Sequence, residues 1–146
     1  MGFFDFFRSS TSLNKEEERY AQQAFQSASR TLDIDVAIAA HENWKTRLMA
    51  FISGNTTEAF RPEVVCCDDQ CDLGKWIYRD GEKHLGKYAT FADLKATHKM
   101  FHYSASNIVT MKQTGNEVEA RRLLENDFAK LSEKIKKRLT DMKALS

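Results

Sequence analysis

His98 and His102 stand four residues apart in the string HKMFH. On an α-helix that spacing brings both imidazoles to one face, about one turn apart. Two ring nitrogens so placed can share a metal ion at roughly 2.0–2.1 Å. The pair alone says little, because exposed helices contain many such pairs. The apolar phase around it says more. His98 is in register with Phe91, Leu94, Ala105 and Ile108, and His102 borders the same stripe. His41 is in phase with Ile34, Ala37, Trp44 and Leu48. A core histidine must satisfy two ring nitrogens, and one buried polar group without a partner costs roughly 1–3 kcal/mol. A single histidine of this kind is ordinarily hydrogen-bonded core. Three of the chain's four histidines on inward faces are satisfied together by one shared metal. His84 falls in a connector and reads as a surface residue.

Zinc held structurally is almost always four-coordinate, so a thiolate or carboxylate should complete the set. Cys71 opens a predicted short helix, whose dipole favours the thiolate. Cys66 and Cys67, in the loop before it, are its rivals, and any single cysteine otherwise reads as a small buried hydrophobe. Three clustered cysteines make a poor disulfide framework, and adjacent cysteines rarely bridge. They read as reduced thiols in a cytoplasmic protein.

Catalytic patterns fare poorly. HKMFH has no glutamate beside either histidine, so it is neither HExxH nor its inverse. Three histidines without Cys71 would leave the open position of a catalytic zinc. A di-iron bundle needs several inward carboxylates, and none lies on the apolar stripes. A haem pocket is not discernible. The expectation is a protein that binds metal and is not an enzyme.

The elements that must position these residues are helical, since apolar residues recur at intervals of three and four. Residues 14–30 form a polar helical segment with a stripe of Tyr20, Ala21, Ala24, Phe25 and Ala28. Asp33 should cap a helix that Gly54 ends. Residues 54–70 read as a loop, a short helix runs from Cys71 to a stop at Gly81, and 82–89 is a connector. Thr90 and Asp93 resemble a capping box opening the His98 helix, which Gly115 ends. Asn116 then caps a last helix with a near-heptad stripe: Ala120, Leu124, Phe128, Leu131, Ile135, Leu139 and Met142. The basic group Lys134, Lys136, Lys137 and Arg138 reads as a solvated face.

With these pieces in place, the string Cys71-Asp72-Leu73-Gly74-Lys75-Trp76 resembles the Cys-x-Leu-Gly-x-Trp core of the chemoreceptor zinc-binding domain. His41 followed by Trp44 upstream, and His98-x-x-x-His102 downstream, fit the same pattern, at intervals of 30 from 41 to 71 and 27 from 71 to 98. The likeness covers roughly residues 33–140. It implies an all-α four-helix bundle, here with an additional N-terminal helical segment, and a Zn2+ ion held by His41, Cys71, His98 and His102. It also implies a homodimer and a place in bacterial chemoreceptors, cyclases or stand-alone proteins that sense zinc or oxidants. The domains expected are 1–30, an N-terminal segment, and 31–146, the zinc-binding bundle. The runner-up function is a structural zinc scaffold that mediates dimerisation or partner binding.

The 146-residue chain has a formal net charge of +1, which gives no basic surface for nucleic acid. No run of 18 apolar residues suits a membrane span. Met1 reads as the start of a complete small protein, and a bacterial signalling protein is a candidate partner. Phe3, Phe4, Phe6 and Phe7 could dock on a membrane or a partner. Packing on the chain's own bundle or dimer mate is the stronger expectation.

Overall fold

A computed structural model describes residues 14–144. Four long helical stretches carry the core. α1 spans Lys15–Ser29 and α2 spans Ile34–Ser53. After short helices α3 (Pro62–Val65), α4 (Asp72–Trp76) and α5 (Glu82–Leu85) comes α6, Ala89–Gln113. The final stretch is α7 (Glu117–Leu123), a π-helical turn at Leu124–Phe128, and α8 (Ala129–Lys143). No strand occurs among the described residues, so the protein is an all-α bundle. None of these helices is long and apolar enough to cross a membrane. The Phe3–Phe7 cluster lies outside the described residues.

Sequence chemistry explains most of the ends. Asn14 and Glu17 form a reciprocal capping box at the start of α1, with bonds of 2.8 and 2.9 Å. Asp33 accepts from the Val36 amide at 3.1 Å and opens α2. Gly54 closes it at φ 72°, in the left-handed region where a side chain is strained. α2, α6 and α8 pack against one another around Leu48, Ile52, Phe101, Ile108, Phe128, Ile135 and Leu139, all fully buried. Each such side chain contributes about 1.5–3 kcal/mol through removal from water. Phe101 and Phe128 stack with ring centroids 4.6 Å apart.

Several local expectations are corrected. Thr90 and Asp93 form no capping box. α6 starts at Ala89 without a side-chain cap, and Asp93 instead pairs with Lys134 and Arg138 of α8. The basic group is accordingly an ion-pairing face, with Lys136 on Glu42 and Lys137 on Asp141 as well. Gly81 does not stop the helix from Cys71. The chain runs on through a π-helical turn, Ile77–Gly81, into α5. Gly81 is there for space, because a Cβ would come within 2.8 Å of the Phe91 ring. The connector thus holds α5, and His84 on it is half-buried. Within 54–70, Pro62 starts the short helix α3. Tyr20 is 52% exposed and falls off the α1 stripe, while Ala21, Phe25 and Ala28 are fully buried.

Candidate metal centre

Each of the four expected residues comes from a different local setting. His41 sits mid-way along α2, and His98 and His102 lie one turn apart on α6. Cys71 is the N-cap of α4, where its Sγ accepts from the Gly74 amide at 3.3 Å. α4 is tight against the preceding turn. A Cβ on Gly74 would fall 1.8 Å from the Asp68 carbonyl oxygen, so only glycine fits.

The four ligand atoms lie within 4.8 Å of one another, and all three histidines are at most 3% exposed. His98 Nε2 is 3.2 Å from the Nε2 atoms of both His41 and His102. Cys71 Sγ is 3.3, 3.7 and 4.0 Å from His98, His102 and His41. A tetrahedral zinc ion with ordinary bond lengths requires ligand edges of about 3.3 Å between nitrogens and about 3.6 Å between nitrogen and sulfur. The edges from His98 and the edge from Cys71 to His102 are near that size, while the edge from Cys71 to His41 is longer, and the whole set lies within 4.8 Å.

Hydrogen bonding aims the lone pairs inward. His41 Nδ1 donates to the Ala37 carbonyl at 2.7 Å, and His102 Nδ1 donates to the Val65 carbonyl at 3.0 Å. A neutral imidazole has one N–H, so both Nε2 atoms present bare lone pairs to the centre. These two carbonyl bonds fix tautomer and ring angle, as metal-binding histidines require. His98 differs. Its Nδ1 is buried and has no partner among the described residues.

Burial holds all three imidazoles below their ordinary value, which keeps them in the neutral form that binds metal. His98 falls furthest, to about 2, because its two histidine neighbours add to burial. Burial likewise pushes the Cys71 thiol up, partly offset by the amides of Gly74 and Leu73. The expected depression by the helix dipole is therefore corrected for the metal-free chain, since desolvation outweighs it. A coordinating thiol loses its proton to the cation's field instead.

Residues 41–109 match the chemoreceptor zinc-binding domain. That stretch is recognised as a domain of this family. The matched stretch begins at His41 and runs past His102, so all four converging residues lie inside it. No curated protein and no solved structure gives a match.

Cys66 and Cys67, the rival sulfurs, lie outside the four-residue set, each thiol donating to the Glu63 carbonyl. The two carbonyl anchors, Ala37 and Val65, were not legible in the sequence, since backbone acceptors leave no residue signature. His41 follows Ala37 by one helical turn, and that spacing was the one available signal.

Proposed function

We propose that this chain is a zinc-binding sensory or regulatory module of bacterial signalling, responding to zinc level or to oxidants through His41, Cys71, His98 and His102. The observation that carries the reading is the convergence of three imidazole nitrogens and one sulfur within 4.8 Å of one another. Nitrogen and thiolate donors together suit zinc among common divalent ions. A full set of four protein ligands leaves no open position for substrate, which supports binding rather than catalysis.

His98 favours a sensor over a static staple. When His98 binds through Nε2, its Nδ1 must carry the proton, and that buried donor has no acceptor among the described residues. The cost, roughly 1–3 kcal/mol, lowers affinity and makes the metal exchangeable. The structural-scaffold reading draws its support from His41 and His102, which the Ala37 and Val65 carbonyls hold rigidly. Zinc titration against a competing chelator separates the two. A sensor exchanges zinc at physiological free levels. A site that surrenders zinc only to denaturant leaves the scaffold, and a chain that takes up no zinc removes both.

The module is proposed to act as a homodimer and to contact a bacterial signalling protein. Met100 and Tyr103, 54% and 43% exposed one turn apart on the outer face of α6, offer an apolar patch for a mate. Light scattering at micromolar concentration should return twice the 16.8 kDa chain mass, and a monomer would contradict this.

A further inference from the structure

A cleft of about 490 Å3 lies beside the four converging side chains. Cys71 and the almost fully buried His102 form its floor, and Cys67, Gln70 and the Arg47–Glu58 ion pair stand around it. Of the side chains in this lining able to ligate metal, Cys71 and His102 belong to the four-residue set, Glu58 is paired with Arg47, and Cys67 is left over. Cys66 is not part of the lining.

The turn that carries Cys67 is fixed relative to the site from two sides. The Asp68 carbonyl is packed against Gly74 of α4, and the Tyr78 hydroxyl donates to Asp68 Oδ2 at 2.6 Å. On the other side, His102 bonds the Val65 carbonyl, two residues before Cys67. Cys67 is thus held at the cleft between α4 and the His102 side chain.

We propose that Cys67 is a transient metal ligand that loads and unloads the four-residue site through this cleft. The proposal rests on the zinc reading above. Four ligands held by three separate segments cannot all release an ion at once, but zinc accepts a fifth ligand in passing. Cys67 gives its thiol proton to water and bonds a zinc ion delivered by solvent or by a small-molecule thiol. Cys71 and His102 then displace Cys67, the Cys71 thiol proton passing to the departing Cys67 thiolate, and no group changes oxidation state. Partial burial, the neighbouring Cys66 and the Asp69 and Asp68 carboxylates push the Cys67 thiol up. At neutral pH it stays protonated and does not compete for permanent occupancy.

The test uses the full chain, with zinc release to excess 4-(2-pyridylazo)resorcinol and the reverse uptake followed by stopped flow. Equilibrium affinity is measured separately by competition, and helicity by circular dichroism. Cys67→Ser should slow both directions about tenfold, the loss of one ligand's hold on the exchange transition state, with affinity unchanged. Cys66→Ser should match the wild type. Unchanged rates in Cys67→Ser overturn the proposal, as does equal slowing in Cys66→Ser. Lost affinity in Cys67→Ser would make Cys67 a resident ligand and overturn the transient role. A wild-type chain that binds no zinc fails the underlying reading first, and the competition titration reports that separately.

Discussion

At the scale of single residues, the centre is defined by which proton each side chain gives up. His41 and His102 have theirs placed by carbonyl acceptors, His98 does not, and Cys71 must lose one altogether. Cys71→Ser should therefore abolish stoichiometric zinc, while Cys66→Ser keeps it. Losing an outer-shell partner alone costs about 10–100-fold in metal affinity, so losing the only sulfur ligand should exceed that. Metal analysis after gel filtration decides it, and zinc retained in Cys71→Ser but lost in Cys66→Ser would show the wrong sulfur was chosen. The histidines also set a pH response in the metal-free chain. All three are held below the ordinary 6.5 when folded, so the unfolded chain binds more protons. Stability then rises with pH. It is complete above 6.5 and is lost progressively as pH falls from 6.5 toward the depressed folded values. Thermal unfolding of chelator-treated protein from pH 8 to pH 5, controlled against a His41→Gln/His98→Gln/His102→Gln variant, should show this slope only in the wild type.

At the scale of elements, α4 links the centre to α1. Cys71 caps α4, and five residues on, the buried Trp76 indole donates to the Ala28 carbonyl at the end of α1, at 2.8 Å. The same indole meets Phe91 edge-on at 6.0 Å. Zinc removal, or oxidation of Cys71 by hypochlorous acid or peroxide, breaks the tie between α4 and the histidine helices, so Trp76 should change environment. Thiolate is the form oxidants attack, and a sulfenic or sulfinic acid binds zinc poorly. Trp44 lies 6.2 Å from His102 and would confuse the signal, so Trp44→Phe is the background to use. Constant fluorescence and zinc content in that variant through Cys71 oxidation would end the redox reading. This link was half legible. The Leu73-Gly74-x-Trp76 string marked α4, and the periodicity marked α1, α2 and α6. The contact between α4 and α1 was not, because it runs from an indole to a backbone carbonyl 48 residues away. The π-helical turns were hidden for a related reason. Ala120, Leu124 and Phe128 keep helical spacing, and the extra residue per turn shows only when their neighbours are seen. The false capping box failed because the helix starts at Ala89 with Tyr88 at the cap, which puts Thr90 inside it, and Asp93 pairs with two cations on α8.

At the scale of the molecule, the question is how much of the fold depends on the ion. The four ligands join three stretches of chain separated by 27 to 31 residues, so metal closes long loops. In small zinc domains with little core, that closure is the folding energy. Here the core stands apart from it. Phe25, Leu48, Phe101, Leu124, Phe128, Ile135 and Leu139 are fully buried in an apolar core, and none of them is a ligand. The metal-free chain should therefore keep its helicity, and zinc should act by linkage on an already folded state. At free zinc of 100 times the dissociation constant, linkage adds about 2.7 kcal/mol. For a chain of this size each kcal/mol moves the midpoint by roughly 2–4 °C, so the loaded protein should melt about 5–11 °C higher. Calorimetry with and without chelator measures the difference, and circular dichroism at 25 °C checks that the metal-free helices persist. Loss of helicity on chelation would make the ion a folding staple and favour the scaffold reading. An unchanged midpoint at saturating zinc would mean the ion does not discriminate folded from unfolded chain, which neither reading survives.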